Sequence, residues 1–373
     1  MRKILGKRSD FGSSWSEVVA NWYLGNSPAI PDDIGWNASD VLERLWPDYL
    51  DKVLSKGSEN VYAMANLVDL GITLAACENL AGFDEVLGRM KKNERAAFSE
   101  AFFAAELVKI GYVPVFGPWL DGKRLDALVN VQGNWVYVEM ITPEQSKSMK
   151  QAYVEMNDVA KRLTEQNLGA IIDVYLLAKP TPDISDTILG FAKGVTNSQY
   201  NTTLEISNIA FLRYVPSRLQ AQPLPFDPVR NRLGPVLLAS TVRMKDGITS
   251  RVTVQFPFTD KRAERLMDDK VSQFSRQEMN LLVIDVSSIP DGIRQWSALI
   301  KRRLRPEINR RFGAVVLFFR YFQIQDATIK TRWSVLRNPN AYRLMSESLL
   351  NAIMNFNDYS DLIRGNKDSG NGA

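Results

Sequence analysis

Apolar residues recur at helical spacing through the early part of the chain. The segments "SSWSEVVANWYL", "ASDVLERLWPDYLDKVL" and "SENVYAMANLVDLGITLAACENL" each predict a helix. Ser39 and Asp40 are placed as N-caps of the second, and the loop "GNSPAIPDDIGWN" divides the first two. "NERAAFSEAFFAAELVKIGY" predicts a further helix that stops at Gly111. The period then shortens. "VPVFGP", "RLDALVNV" and "WVYVEMIT" read as short strands, followed by a helix from Glu144 to Gln166 and the strand "AIIDVYLLAK". Helix, strands, helix, strand is the order of an α/β domain.

The second half continues in the same style without internal repetition. "ISDTILGFAKGV" predicts a helix and "TLEISNIAFLRYV" a strand. Five prolines between Pro216 and Pro235 mark a linker or surface excursion. Beyond it come the strand "RVTVQFPF", the helix "DKRAERLMDDKVSQFS", the strand "MNLLVIDVSS", a basic helical stretch and the strand "GAVVLFFRYF". The pattern divides the chain into a helical region over 1–93, an α/β core over 94–215, a C-terminal α/β portion over 216–360 and a polar, disordered tail over 361–373.

Composition limits the chemistry. The chain has 373 residues, 45% of them hydrophobic, enough for one large domain or two modest ones. It has no histidine and a single cysteine, Cys77. Ser-His-Asp and Cys-His hydrolases, almost every zinc site and an intrachain disulfide are therefore excluded, and Cys77 reads as a small buried hydrophobe. A metal would have to be held by oxygen, as magnesium or manganese are. There is no Walker loop and no GxGxxG, so neither a nucleotide cofactor nor haem is expected. The N-terminus has basic residues without an apolar h-region, and no apolar run is long enough to span a bilayer. A soluble cytoplasmic protein without membrane partners is the expectation.

The stretch "KRLDALVNVQGNWVYVEMITP" carries the candidate chemistry. It reads as an apolar hairpin with two carboxylates, Asp126 and Glu139. A two-residue turn at Gly133-Asn134 would set Asp126 opposite Ile141 and Glu139 opposite Leu128. Both acids then share one face as diagonal neighbours, within reach of one cation. A one-residue slip would put them on opposite faces.

These residues, with Glu100 on the preceding helix, resemble the PD-(D/E)XK nuclease superfamily over Glu94 to about Lys179. The resemblance implies a restriction-endonuclease-like mixed sheet flanked by helices, with magnesium on Asp126 and Glu139. It also implies a lysine two residues after the glutamate, to position or activate the attacking water. Ile141 stands there instead. Lys123, Lys147 and Lys150 are the candidates to replace it. Glu100 lies in an apolar stripe among Ala96, Ala97, Phe103 and Ala104, so it needs a metal or a basic partner; Glu106 is its fallback.

From Arg294 to Arg311 the chain holds seven cationic residues, Arg294, Lys301, Arg302, Arg303, Arg305, Arg310 and Arg311, and one acid, a net of +6 against +4 for the whole chain. Ile293, Trp296, Ile300 and Leu304 form an apolar stripe that leaves the arginines outward, and Pro306 breaks the helix or begins a second one. Such a cluster suits phosphate backbones; a solvated helix face is its plain alternative. Lys270 and Gln273, one turn apart, could also face a polar site, with a surface helix as the plainer reading. The leading expectation is a magnesium- or manganese-dependent endonuclease or exonuclease acting on DNA or RNA. A non-catalytic relative that binds nucleic acid or protein, and a structural or assembly protein, are the alternatives. A homo-oligomer or protein partner stays open.

Overall fold

The structure, a computed structural model, describes residues 32–55, 61–120, 122–166, 169–195, 200–216, 228, 236–245, 248–257, 261–289, 292–304, 309–323 and 327–355. The first predicted helix, most of the proline-rich stretch, Arg305, Pro306 and the polar tail lie outside them.

In chain order the elements are helices α1 (Asp32–Leu45), α2 (Pro47–Ser55), α3 (Val61–Cys77), α4 (Phe83–Lys91) and α5 (Arg95–Lys109). Strands β1 (Pro114–Phe116), β2 (Trp119–Leu120), β3 (Lys123–Arg124), β4 (Ala127–Val131) and β5 (Asn134–Ile141) follow. Then come α6 (Lys147–Gln166), β6 (Ala170–Leu176), α7 (Pro182–Val195), β7 (Thr202–Ile206), β8 (Ala210–Pro216), β9 (Val236–Lys245) and β10 (Ile248–Pro257). The chain ends with α8 (Lys261–Val271), β11 (Met279–Asp285), α9 (Gly292–Arg303), β12 (Ala314–Gln323), β13 (Thr328–Arg337) and α10 (Glu347–Asn355). The protein is α/β, with mixed sheets flanked by helices.

Two compact units emerge, and neither is continuous in sequence. One is drawn from Met1–Thr142, Met267–Ser287 and Leu304–Ala373, the other from Pro143–Leu266 and Ser288–Arg303. They cut across the contiguous boundaries read from the pattern.

The first unit holds a sheet of order β1-β4-β5-β11-β12-β13. β11 is parallel to β5 and to β12, and the outer pairs are antiparallel. β11 is central because "NLLVI" is buried on both faces, as a strand flanked on either side requires. One face, with Val136, Val138, Leu281, Val283 and Val316, packs on Phe103 and Leu107 of α5 and on Leu349, Leu350 and Ile353 of α10. Fully burying a side chain the size of Phe103 contributes about 1.5–3 kcal/mol. α1 to α5 make a second core around Leu42, Met64, Leu74 and Met90. Cys77 is buried in it, and burial pushes its thiol up to about 12, so it packs as a small hydrophobe.

Local chemistry sets the ends of these elements. α5 closes in a Schellman motif: Gly111, at φ 87°, donates to Val108 O and Tyr112 donates to Leu107 O, both at 2.9 Å. The second predicted helix divides at Trp46, with Pro47 in the first position of α2, where its missing N–H costs nothing. Ser39 and Asp40 are not N-caps but interior residues of α1; the Ser39 hydroxyl donates to Gly35 O at 3.0 Å.

The second unit holds a sheet of order β7-β8-β6-β10-β9, with β6 parallel to β10. The single strand expected over "TLEISNIAFLRYV" is a hairpin, turned at Asn208 with φ 59°. Among the described residues no helix is long and apolar enough to cross a membrane.

Candidate active site

The β4–β5 hairpin fixes the two carboxylates, in a register different from the expected one. Val131 pairs with Asn134, so the turn residues are Gln132 and Gly133, at φ 53° and 84°. Positive φ at both central residues is the type I′ geometry that matches strand twist. The Asn130 side chain supports the turn by accepting from Gly133 N at 3.0 Å. Moving the turn by one residue shifts the pairing by two, so the faces are preserved while the partners change. Ala127 pairs with Val138, which sets Asp126, just before β4, level with Glu139. Ile141 does not face Asp126. It is buried and pairs with Ile284 of β11.

Asp126 is half-buried, and its Oδ2 accepts from Met140 N at 2.7 Å. Glu139 lies on the face of β5 opposite Val138 and Met140 and is only 1% exposed. Between the acids sits an ammonium that the pattern treated as surface. Lys270, in the last turn of α8, forms an ion pair with Glu139 Oε2 and lies 3.4 Å from Asp126 Oδ2. Gln273 follows one turn later with its side-chain amide against Glu139; with the amide nitrogen assigned to that side, it donates to Glu139 Oε2 at 2.7 Å and Oε1 at 3.2 Å.

The charges do not balance within this group: two carboxylates face one ammonium. Burial, and then the like charge of Asp126, push the Glu139 carboxyl up to about 7 against the opposing pull of Lys270. Burial works against the charge on Lys270, but Asp126 and Glu139 together hold its ammonium above the ordinary lysine value. Glu100 has the basic partner that its apolar setting called for. Arg89 of α4 grips both of its oxygens, at 2.9 Å from Nη1 to Oε1 and through Nη2 to Oε2. Burial raises the Glu100 carboxyl, Asp126 adds to the rise and Arg89 opposes it. The neighbouring Ser99 donates to Asp285 Oδ2 at 2.6 Å and accepts from Thr142 at 3.1 Å, which ties α5 to the ends of β5 and β11. A cavity of about 160 Å³ opens against Asp126, lined also by Arg89, Gly117, Arg124 and Leu125.

The structure therefore brings Asp126, Glu139 and Glu100 together, but none of the three lysines expected beside them supplies the ammonium. Lys123 donates instead to Ser272 O at 2.9 Å, on the turn after Lys270. Lys147 and Lys150 lie exposed on α6, in the other unit. Glu106 pairs with Lys109 along its own helix. Lys270 and Gln273 left one faint trace in the sequence: each precedes a buried residue, Val271 and Phe274, so they flank the apolar stripe of α8. Arg89 left none.

The basic stretch divides between the two units. Arg294, Lys301 and Arg302 are exposed and Arg303 half-buried on α9, which turns Trp296, Leu299 and Ile300 inward. Arg310 and Arg311 belong to the first unit. Arg311 donates through Nη1 to Ser272 O at 3.2 Å and Phe274 O at 3.3 Å, bracketing Gln273.

Only oxygen donors converge here, and both acids already bind a cation, which is the donor set a hard divalent ion takes. Among the described residues no group of three or more His, Cys, Asp or Glu side chains is arranged to hold a metal. Magnesium is commonly bound through one or two carboxylates, with water completing its shell, so Asp126 and Glu139 fit it without a third acid. Comparison of the chain with protein-family models, with curated proteins and with solved structures returned no match.

Proposed function

We propose that the protein is a metal-dependent phosphodiester hydrolase acting on DNA or RNA. The observation that carries this reading is the pair of carboxylates, Asp126 and Glu139, held on the single ammonium of Lys270. Element order supports it further. A helix with Glu100, the strands with Asp126 and Glu139, the helix with Lys270 and a strand parallel to β5 succeed one another. The PD-(D/E)XK core has this order, here with Pro143–Leu266 set between β5 and the end of α8. α8 and β11 then take the places that the sequence assigned to α6 and β6, whose strand pairs in the other sheet.

In this reading Asp126 and Glu139 hold magnesium or manganese. A bound divalent ion supplies charge to the phosphoryl oxygens and acidifies water. Lys270 is charged at neutral pH, so it acts as a hydrogen-bond donor rather than a base. Its ammonium orients the attacking water or meets charge developing on the phosphoryl group. Gln273 fixes the Glu139 carboxylate, and Arg89 keeps Glu100 from adding an unpaired negative charge beside Asp126. Ile141 then needs no replacement from its own strand.

The test is single-turnover cleavage of labelled DNA and RNA with magnesium or manganese. Lys270→Met is expected to slow cleavage by about 10²–10⁴-fold, the range for a positioned proton donor or charge, and Asp126→Asn to abolish it. Absence of wild-type cleavage with both metals, or cleavage that survives Asp126→Asn, overturns the reading. The direct Lys270–Glu139 ion pair favours a second reading, a non-catalytic relative whose lysine occupies the cation position. Manganese binding measured by calorimetry separates the two: on the second reading it appears only in Lys270→Met.

A further inference from the structure

We infer that Arg276, Arg310 and Arg343, gathered about Tyr342, with Arg311 next to Arg310 in the chain, form a docking surface for the sugar-phosphate backbone of a nucleic-acid strand. The inference rests on the phosphodiesterase reading and names where its substrate lies. The Arg310 guanidinium carbon stands 4.7 Å from the centre of the Tyr342 ring and that of Arg276 stands 5.5 Å away. Arg310 Nε donates to Asn340 O at 2.9 Å, and Arg343 Nε to Gln277 O at 3.1 Å. Arg311 holds the carbonyls of Ser272 and Phe274. Tyr342 is 42% exposed, and Arg276 and Arg343 are exposed beside it.

What distinguishes this cluster is the nature of its partners. Arg44, Arg89, Arg124, Arg162, Arg213, Arg320 and Arg337 each meet a carboxylate. Among the described residues, Arg276, Arg310, Arg311 and Arg343 form no such pair. Their partners are backbone carbonyls and an aromatic ring. A carbonyl or a π face fixes the direction of a guanidinium without cancelling its charge. Oriented guanidiniums that no carboxylate meets attract a polyanion, and their planar forks match phosphate oxygens. The cluster adjoins the candidate site through the chain itself: Arg311 grips the turn that carries Gln273, and Arg276 ends the same turn.

Equilibrium binding of fluorescently labelled single-stranded and duplex oligonucleotides to the full chain in EDTA tests this without any cleavage. Each phosphate contact contributes about 0.7–0.9 to the slope of log affinity against log salt. Arg276→Ala, Arg310→Ala and Arg343→Ala together are expected to reduce the slope by about 2–3. Lys301→Ala with Arg302→Ala should leave it unchanged. Replacing the same three arginines by lysine controls for folding, because it keeps the charge and should keep most of the slope. A slope unchanged in the alanine triple overturns the inference. So does absence of wild-type binding, or equally tight binding of a polyglutamate peptide. Binding that behaves as expected in a protein without metal-dependent cleavage would remove the hydrolase reading while leaving this surface in place.

Discussion

Each unit takes a strand carboxylate out of water, and the two solve the problem differently. In the second unit Asp173 of β6 lies directly across from Arg213 of β8, and the guanidinium donates to its Oδ2 from Nε at 3.0 Å and again from Nη2. One acid meets one cation on the neighbouring strand, within the register of the sheet. In the first unit Asp126 and Glu139 share one ammonium, and that ammonium comes from a helix distant in sequence. The Asp173 pair is complete as it stands. The Asp126–Glu139 group keeps surplus negative charge, and Glu139 sits at a raised pKa because of it. On the proposed reading, that open charge is what a bound cation would fill. The Glu100–Arg89 pair, one acid on one guanidinium, belongs with the closed kind although it stands beside the open one.

Breaking the closed pair should have the largest effect on stability. Asp173→Asn takes the carboxylate from a guanidinium that is 17% exposed, and removing one partner of such a pair costs about 3–5 kcal/mol. Urea denaturation would show it as a lower midpoint, and an unchanged midpoint would remove the contrast.

The open group should respond in the opposite direction. A carboxyl whose folded pKa lies above its ordinary value holds its proton more tightly when folded. Its contribution to stability is therefore full below about pH 4.5 and is lost as pH rises through about 7. Glu139→Gln keeps the neutral form at every pH. It should stabilise the metal-free protein by roughly 1–3 kcal/mol above about pH 7 and by nothing below about pH 4.5. Thermal denaturation across that range checks the sign, and a loss of stability at the alkaline end would refute it.

The smallest effect sharpens the contrast within the group. Gln273→Leu removes two donors from Glu139, at a cost of about 0.5–1.5 kcal/mol for a hydrogen bond lost. It should also move the midpoint of the Glu139 pH dependence upward. A midpoint that stays in place would show that Gln273 does not favour the ionised form.

Much of this contrast was written in local pattern. The α/β class, the helix over Arg95–Lys109 with its stop at Gly111, and the strands β5, β6, β10, β11 and β12 follow from periodicity. The shared face of Asp126 and Glu139 survived a misplaced turn because strand faces depend on parity alone, and the turn moved the pairing by two. Glu100 announced its need for a partner by lying in an apolar stripe, without saying which. Strand β13 and the helix α10 that covers the sheet went unread, since "TIKTRWSVLR" alternates weakly.

By itself the sequence determined the elements, the oxygen-only donor chemistry that follows from having no histidine, and the sidedness of the two acids. These are composition and short-range periodicity, which a chain expresses over a few residues. Only the tertiary structure decided that Lys270, 131 positions beyond Glu139, supplies the ammonium, that β11 lies beside β5, and that Arg310 parts company with α9 to join Arg276 at Tyr342. A cation at the edge of an apolar stripe has the same local signature whether it faces water or a buried carboxylate. Which of the two it meets depends on how distant segments pack, and no local window contains that.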